Sequence, residues 1–323
     1  MKKSLHPSVL VVGTGAVGSL YGGKLSQSGA SVSVLCRSDY DSVKTSGIFV
    51  KSHWGDFSFQ PEEVYRFSDK PLQEFDYILV ALKVLPEISV PDIISRFVTK
   101  KSSVVLLQNG IDIEEPVAHA FPDAEIISGI AFTCVSRTSP GKIHHMDYGR
   151  LKFGLYPKGL SKKTQDLCFL FGQAGVPCDT TDNIRKSRWQ KLVWNAPFNP
   201  ISVLCGGATT REILDLHETR GLVEKIMEEV LLIAEKTGNA LPLSVIKKNI
   251  DDTKNMKPYK TSMCLDFESK RPMEVEAILG NAVRIARETG ARTPCLETLY
   301  GLLKLIDEKN KKNPKFETLN PKK

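Results

Sequence analysis

Residues Val9 to Gly18 read VLVVGTGAVG, an apolar run that ends in Gly13, Gly15 and Gly18. A helical pattern follows from Ala16 to Gln27, and a second apolar run spans Ser31 to Cys36. Strand, glycine turn, helix and strand in that order form the unit that holds a dinucleotide pyrophosphate. Gly13 permits the tight turn, Gly15 lets phosphates approach the backbone, and Gly18 lets the helix pack on the strand. Backbone amides at the helix start, with Ala16 and Val17, face the anion. Glycine turns alone are common; the flanking strands and helix make the signal specific.

The chain has 323 residues, 41% hydrophobic and 25% charged, as an ordinary soluble globular protein does. This length predicts roughly two domains. No apolar run reaches the roughly 18–20 residues that cross a bilayer. The N-terminal residues lead directly into the first strand and leave no room for a signal peptide, so a cytoplasmic location is expected. The seven cysteines are scattered and form no C-x-x-C pair. Reduced, mostly buried thiols are expected, not a disulfide framework or a metal site. The net charge is +7, with Lys309, Lys311, Lys312, Lys315, Lys322 and Lys323 clustered at the end. A solvated tail from about residue 309 is expected. Its lone aromatic, Phe316, makes no interleaved series for base stacking, so no nucleic-acid partner is expected. A mild positive balance suits an enzyme that gathers anionic substrates.

The first half alternates strands and helices, with apolar runs at Val9–Val12, Val32–Leu35, Tyr77–Leu82, Val104–Leu107 and Ile126–Thr133. That alternation predicts a mostly parallel sheet covered on both faces. Ile48 to Phe59 reads as an inserted hairpin, and Lys142 to Tyr156 as a second antiparallel pair turned at Asp147-Tyr148-Gly149. A helix near 163–174 and a strand near 176–180 complete this domain. Beyond Asn183 amphipathic helices take over: Arg185–Ala196, Gly221–Lys236, Ser244–Asp251 and Glu274–Glu288. Pro197 and Pro200 bend or stop the first of them. Thr293-Pro294 reads as a hydroxyl cap with proline at the first helical position of the last helix. The predicted division is an α/β Rossmann-type dinucleotide domain, 1–183, and an all-α substrate and catalytic domain, 184–323. A cleft between two such domains is the default place for substrate.

The residue after the second strand reads the adenosine ribose: a carboxylate takes NAD, an arginine the 2′-phosphate of NADP. Arg37 stands there, with Ser38 as a further donor, which favours NADP. In the alternative, Arg37 is a surface residue and Asp39 turns inward to take NAD. Asn109, in Gln108-Asn109-Gly110 after the fourth apolar run, either holds a nicotinamide or substrate group or is a turn residue. Lys83 either contacts cofactor phosphate or ribose or is a surface lysine. Lys191, Asn195 and Asn199 repeat at helical spacing, so one cation and two amides share a face of an otherwise apolar segment. Ser262 either binds a carboxylate or caps a helix, and Glu274 either lies beside Lys191 or opens the following helix.

Together these residues resemble the ketopantoate reductase family. The likeness runs from about Ser8 to about Lys304. It is carried by Gly13-x-Gly15-Ala16-x-Gly18, Arg37, Gln108-Asn109-Gly110, and Pro140-Gly141 followed by His144 and His145. The most specific motifs are Lys191-Leu-x-x-Asn195-x-x-x-Asn199-Pro200 and Ser262-Met263-x-x-Asp266 ahead of Arg271-x-x-Glu274. The resemblance implies a Rossmann domain joined to a helical domain of the 6-phosphogluconate-dehydrogenase C-terminal type. It implies NADPH-dependent reduction of 2-dehydropantoate (ketopantoate) to pantoate, in pantothenate and coenzyme A biosynthesis. It makes Lys191 the catalytic general acid and Glu274 the essential glutamate. Asn109, Asn195, Asn199 and Ser262 become substrate contacts; Gly13, Gly15, Ala16, Val17, Gly18, Arg37, Lys83, Asn109 and Glu274 become cofactor contacts. Where some members carry a further substrate asparagine, this chain has Gly206-Gly207-Ala208-Thr209-Thr210, with Thr209 as the substitute. Met273 stands where some members have threonine.

The expected partner is a small 2-oxo acid, with no membrane, no nucleic acid and no metal; a homodimer is compatible with the sequence. A lysine ammonium supplies both the proton and the positive charge that a developing alkoxide needs. His144 and His145 are acid candidates by residue type only and read as structural. Two other functions stay open: an NADPH-dependent reductase of a different 2-oxo acid, and a non-catalytic NADPH-binding regulator.

Overall fold

The computed structural model describes residues 6–311. The chain divides into two compact units. The first takes the described residues up to Lys83, then Ile88–Gln108 and Ile113–Ile184; the second takes Val84–Glu87, Asn109–Asp112 and the described residues from Arg185. Residues 1–5, and Lys312, Lys315, Lys322 and Lys323 of the expected tail, lie outside the described residues.

The first unit runs β1 (Ser8–Val12), α1 (Ala16–Gln27), β2 (Ser31–Leu35), α2 (Tyr40–Ser46), β3 (Ile48–Ser52), β4 (Phe57–Phe59), β5 (Val64–Tyr65) and β6 (Tyr77–Val80). It continues with α3 (Val90–Ile94), β7 (Ser103–Leu106), α4 (Glu115–Ala120), β8 (Glu125–Ser139), β9 (Lys142–Leu155), α5 (Lys162–Gln173) and β10 (Cys178–Thr180). One sheet orders the strands β4-β3-β9-β8-β7-β6-β1-β2-β5, with β10 beside β9. The central strands are parallel, β1 lying between β2 and β6. Val9 to Val12 are fully buried, as parallel strands covered on both faces must be. Ile48 to Phe59 forms the expected hairpin of β3 and β4.

The second expected hairpin is different. Lys142–Leu155 is one strand, antiparallel to β8, and the reversal falls at Pro140-Gly141. Tyr148 and Gly149 do have the positive φ of a turn, 61° and 125°. They are absorbed as a bulge, where the register slips between Phe132 and Thr133. Turn composition inside a long paired strand gave the wrong reversal.

The second unit is helical: α6 (Ile184–Leu204), α7 (Thr210–Asp215), α8 (His217–Lys236), α9 (Ser244–Asn255), α10 (Ser262–Glu268), a π-helical turn (Glu276–Gly280), α11 (Asn281–Thr289) and α12 (Pro294–Lys311). Of the apolar stripe expected on α8, Val223, Ile226, Val230, Ile233 and Ala234 are buried and Leu222 is half-buried. Pro197 and Pro200 do not end α6; both lie inside it. Each proline removes a helical hydrogen bond and costs about 3 kcal/mol. Phe198, Ile201 and Val203 are buried beyond the first proline, and their burial contributes roughly 5–9 kcal/mol. Tertiary packing therefore carries the helix through. Lys309 and Lys311, expected in the tail, form its last turn in α12, where the Lys311 ammonium lies 2.9 Å from Asp307. Of the seven cysteines only Cys36 and Cys264 are buried, fewer than the sequence suggested.

The start of α12 also departs from expectation. Pro294 is its first residue, but the buried Thr293 hydroxyl has no hydrogen-bond partner among the described residues. Glu229 on α8 supplies the cap: its carboxylate accepts from Cys295 N at 2.9 Å and Leu296 N at 2.8 Å. A carboxylate there also meets the positive helix end. Glu229→Ala should therefore lower stability by about 1–3 kcal/mol in denaturant unfolding. Thr293→Val should be neutral or slightly stabilising, because it removes an unpaired buried hydroxyl. The opposite ranking of the two variants would reject this cap.

Candidate active site

The glycine loop is tied to the end of β2 by Gly13 N donating to Leu35 O at 3.0 Å and by the Thr14 hydroxyl on the Cys36 sulfur at 3.3 Å. Gly13 has φ of 100°, and a Cβ on Gly18 would sit 2.0 Å from Gly13 O, so both positions exclude side chains. Gly15 differs: a Cβ there would meet nothing within 4 Å and would project into open space. It precedes α1 without a side-chain cap, and the first turn of α1 carries no acidic residue. Its first amides, those of Ala16 and Val17 included, thus meet no protein side-chain acceptor there, the arrangement that receives a pyrophosphate. Arg37 and Ser38 are exposed just past β2, while Asp39 is buried against Arg137. Lys83 is half-buried beyond β6. These residues fit a dinucleotide.

The second unit brings Lys191, Asn109 and Glu274 together. Lys191 Nζ on α6 donates to Asn109 Oδ1 at 2.6 Å. Asn109 Nδ2 reaches Glu274 Oε2 at 3.4 Å, a long and weaker contact. Glu274 Oε1 accepts from Val84 N at 3.0 Å. Glu274 also starts the following helical run, its backbone carbonyl accepting from Ile278 N at 3.1 Å, while its carboxylate turns to Val84 and Asn109. Burial, with the Arg188 guanidinium nearby, pulls the Lys191 ammonium down to about 8, against the opposing effect of the Glu274 carboxylate.

Asn109 is placed by its own short segment. Gly110, at φ 112°, lies so close to Ala277 that a Cβ would be 2.6 Å from the Ala277 carbonyl oxygen. Ile111 N donates to that same oxygen at 3.0 Å, and Asn281 Nδ2 donates to Ile111 O at 2.7 Å. Arg188 Nη1 donates to Gly110 O at 3.1 Å, and Arg284 Nη2 to Asp112 at 2.9 Å. Sequence reasoning missed Arg188 and Asn281. For Arg188 a signal existed, since it stands three residues before Lys191 on one helix; Asn281 had none.

Asn195 and Asn199 follow Lys191 along α6 at one-turn intervals and are 8% and 2% exposed. Neither side-chain amide hydrogen-bonds to a protein group among the described residues. Ser262 is exposed at the first position of α10, and no hydrogen bond joins it to the Lys191 group. The cap of α10 is Thr261, not Ser262. Thr209 is also engaged: with Glu212 it forms a capping box on α7. His145 is fully buried between the Ser52 hydroxyl and the Tyr148 carbonyl, and burial lowers it to about 4. It is a neutral structural residue. No cluster that could hold a metal occurs among the described residues, and no helix there is long and apolar enough to cross a membrane.

Two family models match the chain: "Ketopantoate reductase PanE/ApbA" over residues 9–158 and its "C terminal" counterpart over 183–307. The chain is 38% identical over 306 residues to a 2-dehydropantoate 2-reductase of a Nostoc species, covering 93% of this chain and 95% of the relative. Among solved structures, a 2-dehydropantoate 2-reductase from Methylococcus capsulatus superimposes with a TM-score of 0.89 at 45% identity, covering 95% of this chain and 99% of that one. One from Geobacter metallireducens gives 0.86 at 34% identity, covering 92% and 99%. With its glycine loop, its lysine–asparagine–glutamate group and both family models matched in order, this chain belongs to the ketopantoate reductase family of oxidoreductases.

Proposed function

We propose that this protein reduces 2-dehydropantoate to pantoate with NADPH, using Lys191 as the general acid. The observation that carries this reading is the Lys191–Asn109–Glu274 chain, which holds an ammonium poised near neutral pH. Gly13 to Gly18, Arg37 and Lys83 would hold the nucleotide. Arg37, exposed where the ribose is read, favours the 2′-phosphate of NADP, and the burial of Asp39 removes the competing carboxylate. When bound, the reduced nicotinamide supplies the hydride. Lys191 gives its proton to the substrate oxygen that becomes the hydroxyl, and its charge stabilises that oxygen as electrons move onto it. Asn109 fixes the ammonium, and Glu274 keeps it charged. The unpaired amides of Asn195 and Asn199 would bind polar groups of the substrate, and Ser262 its carboxylate. The product leaves with one hydride and one proton added.

A different 2-oxo acid is the second reading. It is favoured by Thr209, whose hydroxyl is spent on the α7 cap and so does not replace the asparagine that some members carry. Following NADPH oxidation across a panel of 2-oxo acids decides between the two. Preference for ketopantoate supports the first, preference for another acid the second, and no oxidation rejects both.

Lys191→Ala should lower turnover by about 10²–10⁴-fold, the usual contribution of a general acid, while NADPH binding followed by fluorescence is retained. Turnover at the parent level would remove Lys191 from the chemistry. In the parent enzyme, kcat/KM should fall above about pH 8, as Lys191 loses its proton. Glu274 favours the charged ammonium, so Glu274→Gln should move that alkaline limb to lower pH. A limb that stays in place would show that Glu274 does not tune Lys191.

A further inference from the structure

The β8–β9 hairpin brings a cation to the end of β2 that the glycine motif does not include. Arg137 lies on β8, and its Nη1 donates to Asp39 Oδ1. Asp39 is two residues past Arg37 and is only 2% exposed. The Ser38 hydroxyl donates to the same Oδ1 at 2.9 Å. The other carboxylate oxygen, Oδ2, is buried with no partner among the described residues. The hairpin tip is held in turn by the Ser42 hydroxyl of α2 on Pro140 O, at 3.3 Å. The Arg137 side chain keeps 37% of its exposure, and its contact with Asp39 is its only hydrogen bond among the described residues. A guanidinium presents a planar fork of donors, and most of this fork is uncommitted.

We propose that Arg137 is a second reader of the adenosine 2′-phosphate of NADP, beside Arg37, and that Asp39 is the positioning residue that aims it. This rests on the NADP reading given above. Asp39 fixes one edge of the guanidinium, so little freedom is lost when the remaining donors meet an anion. The same pairing neutralises a carboxylate that would repel the phosphate dianion, and it turns that carboxylate away from the 2′-hydroxyl that NAD would offer. Two arginines then face the phosphate from separate elements, the fork geometry that suits bidentate phosphate contacts.

The test is direct binding. NADPH and NADH are titrated by fluorescence, and 2′-AMP and 5′-AMP compete, against the parent protein, Arg137→Met and Arg137→Met/Asp39→Asn. The double variant leaves no unpaired buried carboxylate, so loss of a contact is separated from misfolding. Both variants should lose about ten- to a hundredfold in NADPH affinity, the value of a charge-assisted hydrogen bond. NADH affinity of the double variant should stay within about twofold of the parent, and 2′-AMP should lose its advantage over 5′-AMP. A double variant that binds NADPH as the parent does overturns the Arg137 assignment and leaves the NADP reading standing. A parent protein that binds NADH as tightly as NADPH overturns both.

Discussion

One asparagine amide joins the groups on which the site depends. The carbonyl end of Asn109 accepts from the Lys191 ammonium, and its amino end faces the Glu274 carboxylate. A primary amide offers both an acceptor and a donor in one planar, uncharged group. An aspartate would set two carboxylates side by side, and an alanine would leave the lysine without its close acceptor. An ammonium in a poorly solvated place costs several kcal/mol unless it is paired and hydrogen-bonded. Here the cost is met by a short hydrogen bond to a neutral oxygen and a carboxylate one residue removed. A direct lysine–glutamate pair would hold the ammonium's charge more firmly. The intervening amide keeps the attraction weaker.

One support of Asn109 comes from the π-helical turn. The Ala277 carbonyl, inside Glu276–Gly280, accepts from Ile111, which lies in the segment that carries Asn109. A regular α-helix would direct that carbonyl to an amide of its own helix. The turn thus contributes a carbonyl to a segment outside its helix, and single π turns commonly lie near functional residues. Gly110 permits the approach, Asn281 and Arg188 close the segment on its two carbonyls, and Arg188 also helps lower the ammonium it lies near. Arg188 thus both helps position the Asn109 segment and lowers the proton affinity of Lys191.

Much of this was readable in the amino-acid order, because local rules and packing agree there. The glycine loop, the central strands and the α8 stripe each follow from a period or a steric need that no neighbour opposes. The failures fall where tertiary contacts override a local signal. Asp147-Tyr148-Gly149 has the composition of a turn, but β8 pairs along its whole length and reduces it to a bulge. Thr293 has the chemistry of a cap, yet Glu229, 64 positions before it, reaches the same amides first. Spacing set Lys191, Asn195 and Asn199 on one face, but it could not fix Asn109 and Glu274 near Lys191, since those contacts join segments far apart in the chain.

The continuation of α6 through two prolines also fixes the spacing of its polar residues. Had the helix ended at Pro197, Asn199 would lie in a loop with no fixed relation to Lys191. Packing of Phe198, Ile201 and Val203 keeps the segment helical, so Lys191, Asn195 and Asn199 remain one turn apart on a rigid element. Buried amides without protein partners are unfavourable in the free protein. A ligand that satisfies both removes that cost on binding, while one lacking a matching polar group leaves it in place. On the proposed reading, discrimination among 2-oxo acids arises from the spacing of two asparagines, which apolar packing of the same helix enforces.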